Sequence, residues 1–385
     1  MKTITFTLAL VALLTGMAGA AEFTDRIQVS FDAGNPAPTE VFKIRDHVEV
    51  HYFAPAVPRE PGNNPSVVYI HGGGWRGGNP TGTYRWCRYL AEHGVSAFTV
   101  RYQLANEKRG IKPTQCLMDA KTAMRWVRAN AGKFDIDPER IAAAGNSAGG
   151  HLAAALATIE GYNHAGDNLS ISCRPNLLLL ASPVLDNGPG GYGNGQVIPG
   201  KEPSDFRVKG FWQDFSPVHN LNRELPDSIL LMGDQDPLIR MAPVEKFGRG
   251  VQASGSDFEW WIFPGKGHGL FSQRQSYLTP ELKNIYYAWH VFLARHGYID
   301  RPPPADKELT RLVRKQALTE TAALPNLNVI PADDWGSAHH PEPGETFVFA
   351  VEQPPTIEPK NWTHRVAKAG DYQIGMAWIE VQSGN

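Results

Sequence analysis

Three cysteines in a chain of 385 residues are too few to staple a fold together. Cys87, Cys116 and Cys173 allow at most one disulfide, which excludes a disulfide scaffold, and no Cys/His spacing resembles a zinc site. Charge of one sign is lacking as well. A formal net charge of −2 offers nothing to a polyanion, and no feature points to nucleic acid. Long apolar runs are also missing. The stretch from Ile4 to Met17 falls short of the ~20 residues that a membrane span needs. No extended apolar lid segment of a lipase kind is visible either. Apolar content of 42% is nevertheless ordinary for a globular chain, and the length exceeds one average domain.

Met1 to Ala20 reads as a targeting segment: Lys2 at the start, an apolar middle, then Ala18-Gly19-Ala20 as small residues before a cleavage site. Export to the periplasm or beyond is expected, with cleavage after Ala20. No cysteine follows the apolar run, so a lipid-modified N-terminus is not expected. Residues 21–300 then form the main unit. Phe42, Ile44, Val48, Val50 and Tyr52 alternate as an antiparallel edge hairpin would. Beyond them strand and helix patterns take turns. Strands are expected at 67–70, 95–100, 141–144, 177–181, 228–232 and 258–263. Helices are expected at 116–129, 148–159 and 280–296. Such alternation predicts an α/β fold, a mostly parallel central sheet flanked by helices, with sites beyond the carboxyl ends of the strands.

Two motifs stand at such strand ends. His71-Gly72-Gly73-Gly74-Trp75 follows Val67-Val68-Tyr69-Ile70, and Gly145-Asn146-Ser147-Ala148-Gly149 follows Ile141-Ala142-Ala143-Ala144. In the second, Gly145 and Gly149 carry no Cβ, so strand and helix can close tightly around a strained, exposed Ser147. In the first, consecutive glycines let backbone amides face a substrate oxygen. Either motif alone is weak, since a lone Gly-x-Ser-x-Gly is usually a flexible loop. Together, each after an apolar strand and one before a helix, they read as a serine hydrolase.

These residues resemble the α/β-hydrolase superfamily, specifically serine esterases with an HGGGW oxyanion loop. The likeness runs from Ser66 to about Leu270 and is nearest the hormone-sensitive-lipase-like and feruloyl/acetylxylan-esterase-like branches. The run Asp137-Pro138-Glu139-Arg140-Ile141 leading into Gly145–Leu152 is typical of them. In this fold the order is serine, acid, histidine. Among thirteen histidines, His268 alone combines a glycine-rich loop, a preceding strand end and that order. His151, His290 and His296 lie on helices as surface or packing residues, and the resemblance gives His71 a bracing role. For the acid, Asp234 and Asp236 both follow the strand at 228–232. Relatives carry it at the position of Asp236, which leaves Asp234 as a solvated turn residue.

The resemblance implies a carboxylic ester hydrolase. His268 removes the Ser147 proton, Asp236 orients the imidazole, and the amides of Gly73, Gly74 and Ala148 form the oxyanion hole. No cofactor and no metal is required. The expected substrate is a small ester or an esterified polysaccharide carrying acetyl or feruloyl groups. A formamidase-like amidase, a lipase on the same machinery and a non-catalytic binding protein on this fold are the alternatives. Oligomeric state is not legible.

Residues 186–215 form an irregular, glycine-rich insertion holding Phe206, Phe211, Trp212 and Phe215. A lid or pocket wall and a plain surface loop are both open readings. Trp75, Phe211 and Trp212 are the candidate pocket residues. Past the main unit, residues 301–345 read as a proline-rich linker with a short charged helix. Residues 346–385 alternate with period two as a β-rich appendage. The stretch from Asn361 to Tyr372 resembles the start of carbohydrate-associated β modules, so a partial module is expected there.

Overall fold

A computed structural model describes residues 36–300, apart from 197, 199, 204, 264 and 272–279. The targeting segment, the linker and the β-rich appendage lie outside the described residues. The described part is built on one eight-stranded sheet, ordered β1-β2-β4-β3-β5-β6-β7-β8. These strands are β1 (Glu40–Arg45), β2 (Val48–Phe53), β3 (Asn64–Ile70), β4 (Ser96–Arg101), β5 (Ile136–Asn146), β6 (Leu177–Ala181), β7 (Asp227–Gly233) and β8 (Phe258–Phe263). β1 and β2 pair antiparallel and so do β2 and β4, while every other pairing is parallel.

β6 is apolar throughout, and so are β3 over residues 67–70 and β5 over residues 141–144, because both faces of the sheet are covered there. Val68, Ile70, Ala143, Leu178, Leu180 and Leu230 face α2 (Pro113–Ala129), α3 (Ala148–Thr158) and α5 (Met241–Ala253). Their neighbours Val67, Tyr69, Ala142, Ala144, Leu179 and Leu231 face α1 (Tyr84–Glu92) and α6 (Pro280–Arg295). One further turn of helix, α4 (Trp212–Phe215), lies between β6 and β7. β1 is an edge with no fully buried residue, and Glu40, Lys43 and Arg45 along it are charges that discourage pairing with another chain.

α2 is entered by Pro113 at its first position and buries Cys116, Ala120, Ala123, Met124 and Val127 at helical spacing. α3 is held at its far end by Lys121. The Nζ of this buried lysine donates to the carbonyls of Ile159, Glu160 and Gly161 at 2.6, 3.1 and 2.5 Å. A positive charge there suits the negative end of the helix dipole. Burial lowers its pKa to about 8. All three cysteines are buried and unpaired. Among the described residues, no helix is long and apolar enough to cross a membrane.

Register decides what meets what at the carboxyl edge. Ile70, the last residue of β3, pairs with Gly145 of β5, so the loop from His71 and the turn at Ser147 leave the sheet side by side. Gly233 at the end of β7 pairs with Phe263 at the end of β8, bringing the loops that carry Asp236 and His268 together.

Candidate active site

Ser147 sits between β5 and α3 with φ 53° and ψ −123°, a conformation rare for a residue with a side chain. Its backbone is held on three sides. The Ser147 amide donates to Ala181 of β6 at 2.9 Å, and its carbonyl accepts from His151 and Val184 at 3.0 and 3.2 Å. The glycines around it are required by contact. A Cβ on Gly145 would meet the Gly149 carbonyl oxygen at 2.4 Å, and one on Gly149 would meet that of Ile70 at 2.0 Å. Real Cβ atoms do not approach so closely, so the turn exists only with glycine at both places.

The Ser147 hydroxyl donates to His268 Nε2 at 2.9 Å, and His268 Nδ1–H donates to Asp236 Oδ2 at 2.8 Å. The carboxylate partner fixes the imidazole tautomer and leaves Nε2 free to accept the serine proton. The Asp236 side chain has no solvent exposure, and its Oδ1 accepts the amides of Leu238 and Ile239 at 2.9 and 3.0 Å. Burial works to raise this carboxyl. The hydrogen bond and charge of His268 and the two amides outweigh it, so the pKa lies below the ordinary value.

Asp234 is a part-exposed turn residue. Its Oδ1 accepts the Gly265 amide at 2.7 Å and thereby ties the histidine loop to β7. The two loops can meet because Gly233 has no side chain. A Cβ there would lie 1.9 Å from the Lys266 carbonyl oxygen.

The His71–Trp75 loop lies against the serine turn. Asn146 Oδ1 accepts the Gly72 amide at 3.2 Å and the Tyr69 hydroxyl at 3.4 Å. The His71 ring is buried and stacks on Tyr102 at 4.2 Å, and its Nδ1–H donates to the Gly72 carbonyl at 2.8 Å. Burial drives its pKa down to about 4 against the opposing effect of that bond, so the ring is neutral near pH 7. The Tyr102 hydroxyl donates to the His71 carbonyl at 2.8 Å. Among the described residues, the amides of Gly73, Gly74 and Ala148 have no acceptor. Ala148 opens α3, so the positive end of that helix dipole faces the same place.

The candidate pocket residues behave differently from a pocket. Trp75 is fully buried between the rings of His151, Tyr192 and Phe215, at centroid distances of 5.1, 5.5 and 5.6 Å. It is a core residue, because its loop turns the indole inward beneath the glycines. Phe211 packs edge-on to Phe215 at 5.5 Å, and Trp212 edge-on to His219 at 4.9 Å. Both are half-buried anchors. Residues 187–195 of the insertion are mostly packed. Asn187 and Asn194 are buried, and Asn194 Nδ2 donates to the Asn187 carbonyl at 2.9 Å. Phe206 is the aromatic left 49% exposed. His151 and His290 are both buried packing residues.

Asn146 and Tyr102 hold the site together yet carried no signal of their own in the sequence. Only Asn146, enclosed by the serine motif, had a position from which a bridge to the glycine loop was foreseeable.

Residues 67–272 match the sequence pattern of the alpha/beta hydrolase fold family. The chain is 28% identical to the esterase LipC of Mycobacterium tuberculosis over 232 residues, 56% of this chain and 54% of that protein. It is 24% identical to an acetylxylan esterase of Xylanibacter ruminicola over 220 residues, 56% of this chain and 42% of that protein. It thus spans about half the length of the curated relatives it matches. Thermogutta terrifontis esterase 2, solved phosphonylated by sarin, superposes with a TM-score of 0.59 at 26% identity, covering 70% of this chain and 98% of that one. The propionate-bound form of the same esterase gives 0.58 at 26% identity, covering 70% and 97%.

Proposed function

This chain belongs to the α/β-hydrolase fold family, and from that premise we propose that it is a serine carboxylesterase working through an acyl-enzyme on Ser147. The observation that carries the reading is the continuous path from Ser147 Oγ through His268 to Asp236, at 2.9 and 2.8 Å, beside amides that have no acceptor among the described residues. Esterase names among the relatives and solved structures support it.

Each step uses side chains and amides already in position. His268 Nε2 takes the Ser147 proton as Oγ attacks the ester carbonyl, and the Asp236 carboxylate stabilises the imidazolium that results. Charge develops on the carbonyl oxygen, where the amides of Gly73, Gly74 and Ala148 receive it. His268 then gives its proton to the leaving alcohol. Water, activated by the same imidazole, releases the acid and restores Ser147.

We further propose a short acyl group, acetyl or feruloyl, carried on an exported enzyme's polysaccharide substrate. The acetylxylan esterase among the relatives, the propionate held by Thermogutta terrifontis esterase 2 and the export-type composition of Met1–Ala20 support this. A panel of p-nitrophenyl esters from acetate to laurate, with acetylated xylan and methyl ferulate, tests it. Preference for acetate and release of acetate from xylan is the expected outcome. Preference for octanoate or longer overturns the polysaccharide reading.

A further inference from the structure

Three successive residues of the oxyanion loop hold positive φ: Gly73 at 123°, Gly74 at 60° and Trp75 at 62°. For a tryptophan this is a true backbone outlier, and such a conformation persists only where its surroundings over-determine it. Buried packing of the indole supplies part of that constraint. The rest comes from the carbonyls. Gly73 O accepts the amides of Arg76 and Gly77 at 3.1 and 2.9 Å, and Trp75 O accepts that of Ala105 at 2.8 Å. The carbonyl between them, on Gly74, is held by a side chain from the insertion. Arg207 Nη1–H donates to it, and among the described residues no other donor reaches it.

Arg207 is itself fixed on every side. Its Nε donates to Asp205 Oδ1 at 2.9 Å and its Nη2 to Asp205 Oδ2. Its Cζ lies 5.7 Å from the Trp75 ring centre and 5.5 Å from that of Tyr192, and 9% of the side chain is exposed. Asp205 also faces Arg76 at 3.8 Å. A guanidinium suits this place because its planar fork can engage a carboxylate and a carbonyl at once while its face lies on aromatic rings. Acyl transfer itself has no use for this group.

We propose that Arg207 is a positioning residue of the oxyanion hole. By holding the Gly74 carbonyl it fixes the Gly74–Trp75 peptide and so the backbone angles of Gly74, which keep the adjoining peptide, the one that carries the Gly74 amide, turned toward the hole. Glycine has several accessible backbone wells, and the brace selects one of them. The insertion therefore serves this site as a fixed strut of the hole. The inference rests on the serine-esterase reading above.

The test compares wild type with Arg207→Met and Arg207→Lys on p-nitrophenyl acetate and on its thiono analogue, whose developing charge sits on sulfur. A sulfur fits badly into donors spaced for oxygen, so a thiono ester gains little from the hole. Active sites are counted by phosphonate titration, which removes any unfolded fraction from kcat. Arg207→Met is expected to lose about 10–100-fold in kcat on the oxo ester, less than the ~10²–10³ that outright removal of a donor costs. KM should change little, and the loss should shrink on the thiono ester. Arg207→Lys, which keeps the charge without the fork, should fall between. Asp205→Asn, leaving Arg207 in place but loosely held, should move in the same direction and serves if Arg207→Met does not fold. Wild-type kcat in a folded Arg207→Met, or equal losses on both esters, overturns the proposal. A wild type that hydrolyses no ester and takes no phosphonate overturns the esterase reading instead.

Discussion

Asp236 meets the His268 imidazole at 2.8 Å with its own side chain wholly closed to solvent. Asp234, two positions earlier, faces the Gly265 amide instead. Asp236→Asn should therefore cost about 10⁴ in kcat, because an amide in that place favours the wrong imidazole tautomer. Asp234→Asn keeps an oxygen for Gly265 and should cost far less. Purified variants assayed on p-nitrophenyl acetate decide this. Equal, modest losses would mean that neither carboxylate orients the base.

The buried histidines make stability fall with acid. Burial lowers His71 to about 4 and His151 to about 3, whereas in the unfolded chain both return to the ordinary value of 6.5. Below that value the unfolded state binds protons that the native state does not, so unfolding takes up protons and ΔG declines as pH drops. Asp236, held below its ordinary value, adds a loss in the same direction at still lower pH. Urea midpoints should be level from about pH 7.5 to 6.5 and decline steadily from there toward about pH 4.5, within the window set by these shifts. A midpoint constant over the whole range would contradict the burial of these rings.

Gly149→Ala should cost more than the ~1–3 kcal/mol typical of overpacking. Its Cβ would lie 2.0 Å from the Ile70 carbonyl oxygen and 2.5 Å from that of His71, and backbone cannot step aside as a side chain does. Gly132→Ala is the control. Among the described residues nothing lies within 4 Å of a Cβ there, so the change should stay within about 0.5 kcal/mol. Denaturant unfolding of the two variants distinguishes a contact glycine from an incidental one.

Trp75→Ala should act on stability and not on chain-length preference. The indole is fully buried, and truncating such a residue costs about 3–5 kcal/mol. A variant with an unchanged melting temperature and a broadened ester profile would instead make Trp75 a wall of the substrate pocket.

The fold was legible wherever burial wrote a pattern. β6 falls on the residues that its apolar run marks, because a strand covered on both faces is kept apolar, and the edge strand β8 falls on its run although it holds Glu259. The glycine motifs were legible because sterics leave no substitute at Gly145 or Gly149. Arg207 was not legible, since it reaches Gly74 across 133 positions and no local spacing records that contact. The insertion escaped for a related reason. It packs through its own turns, such as Tyr192 N–H to the Asp186 carbonyl at 3.1 Å, and such turns leave no helical or strand period. Trp75 misled because an aromatic beside an oxyanion loop reads the same from sequence whether it turns outward or inward.

Covalent labelling of Ser147 tests the central claim most directly. Purified protein treated with an organophosphonate should gain one adduct per chain, mapped by mass spectrometry to the peptide carrying Ser147, and lose ester hydrolysis in step. Ser147→Ala should take no adduct and hydrolyse p-nitrophenyl acetate slower by about 10⁴ or more while keeping its fold. Wild-type turnover in Ser147→Ala, or an adduct on another residue that accompanies inactivation, would contradict the assignment of Ser147 as the nucleophile.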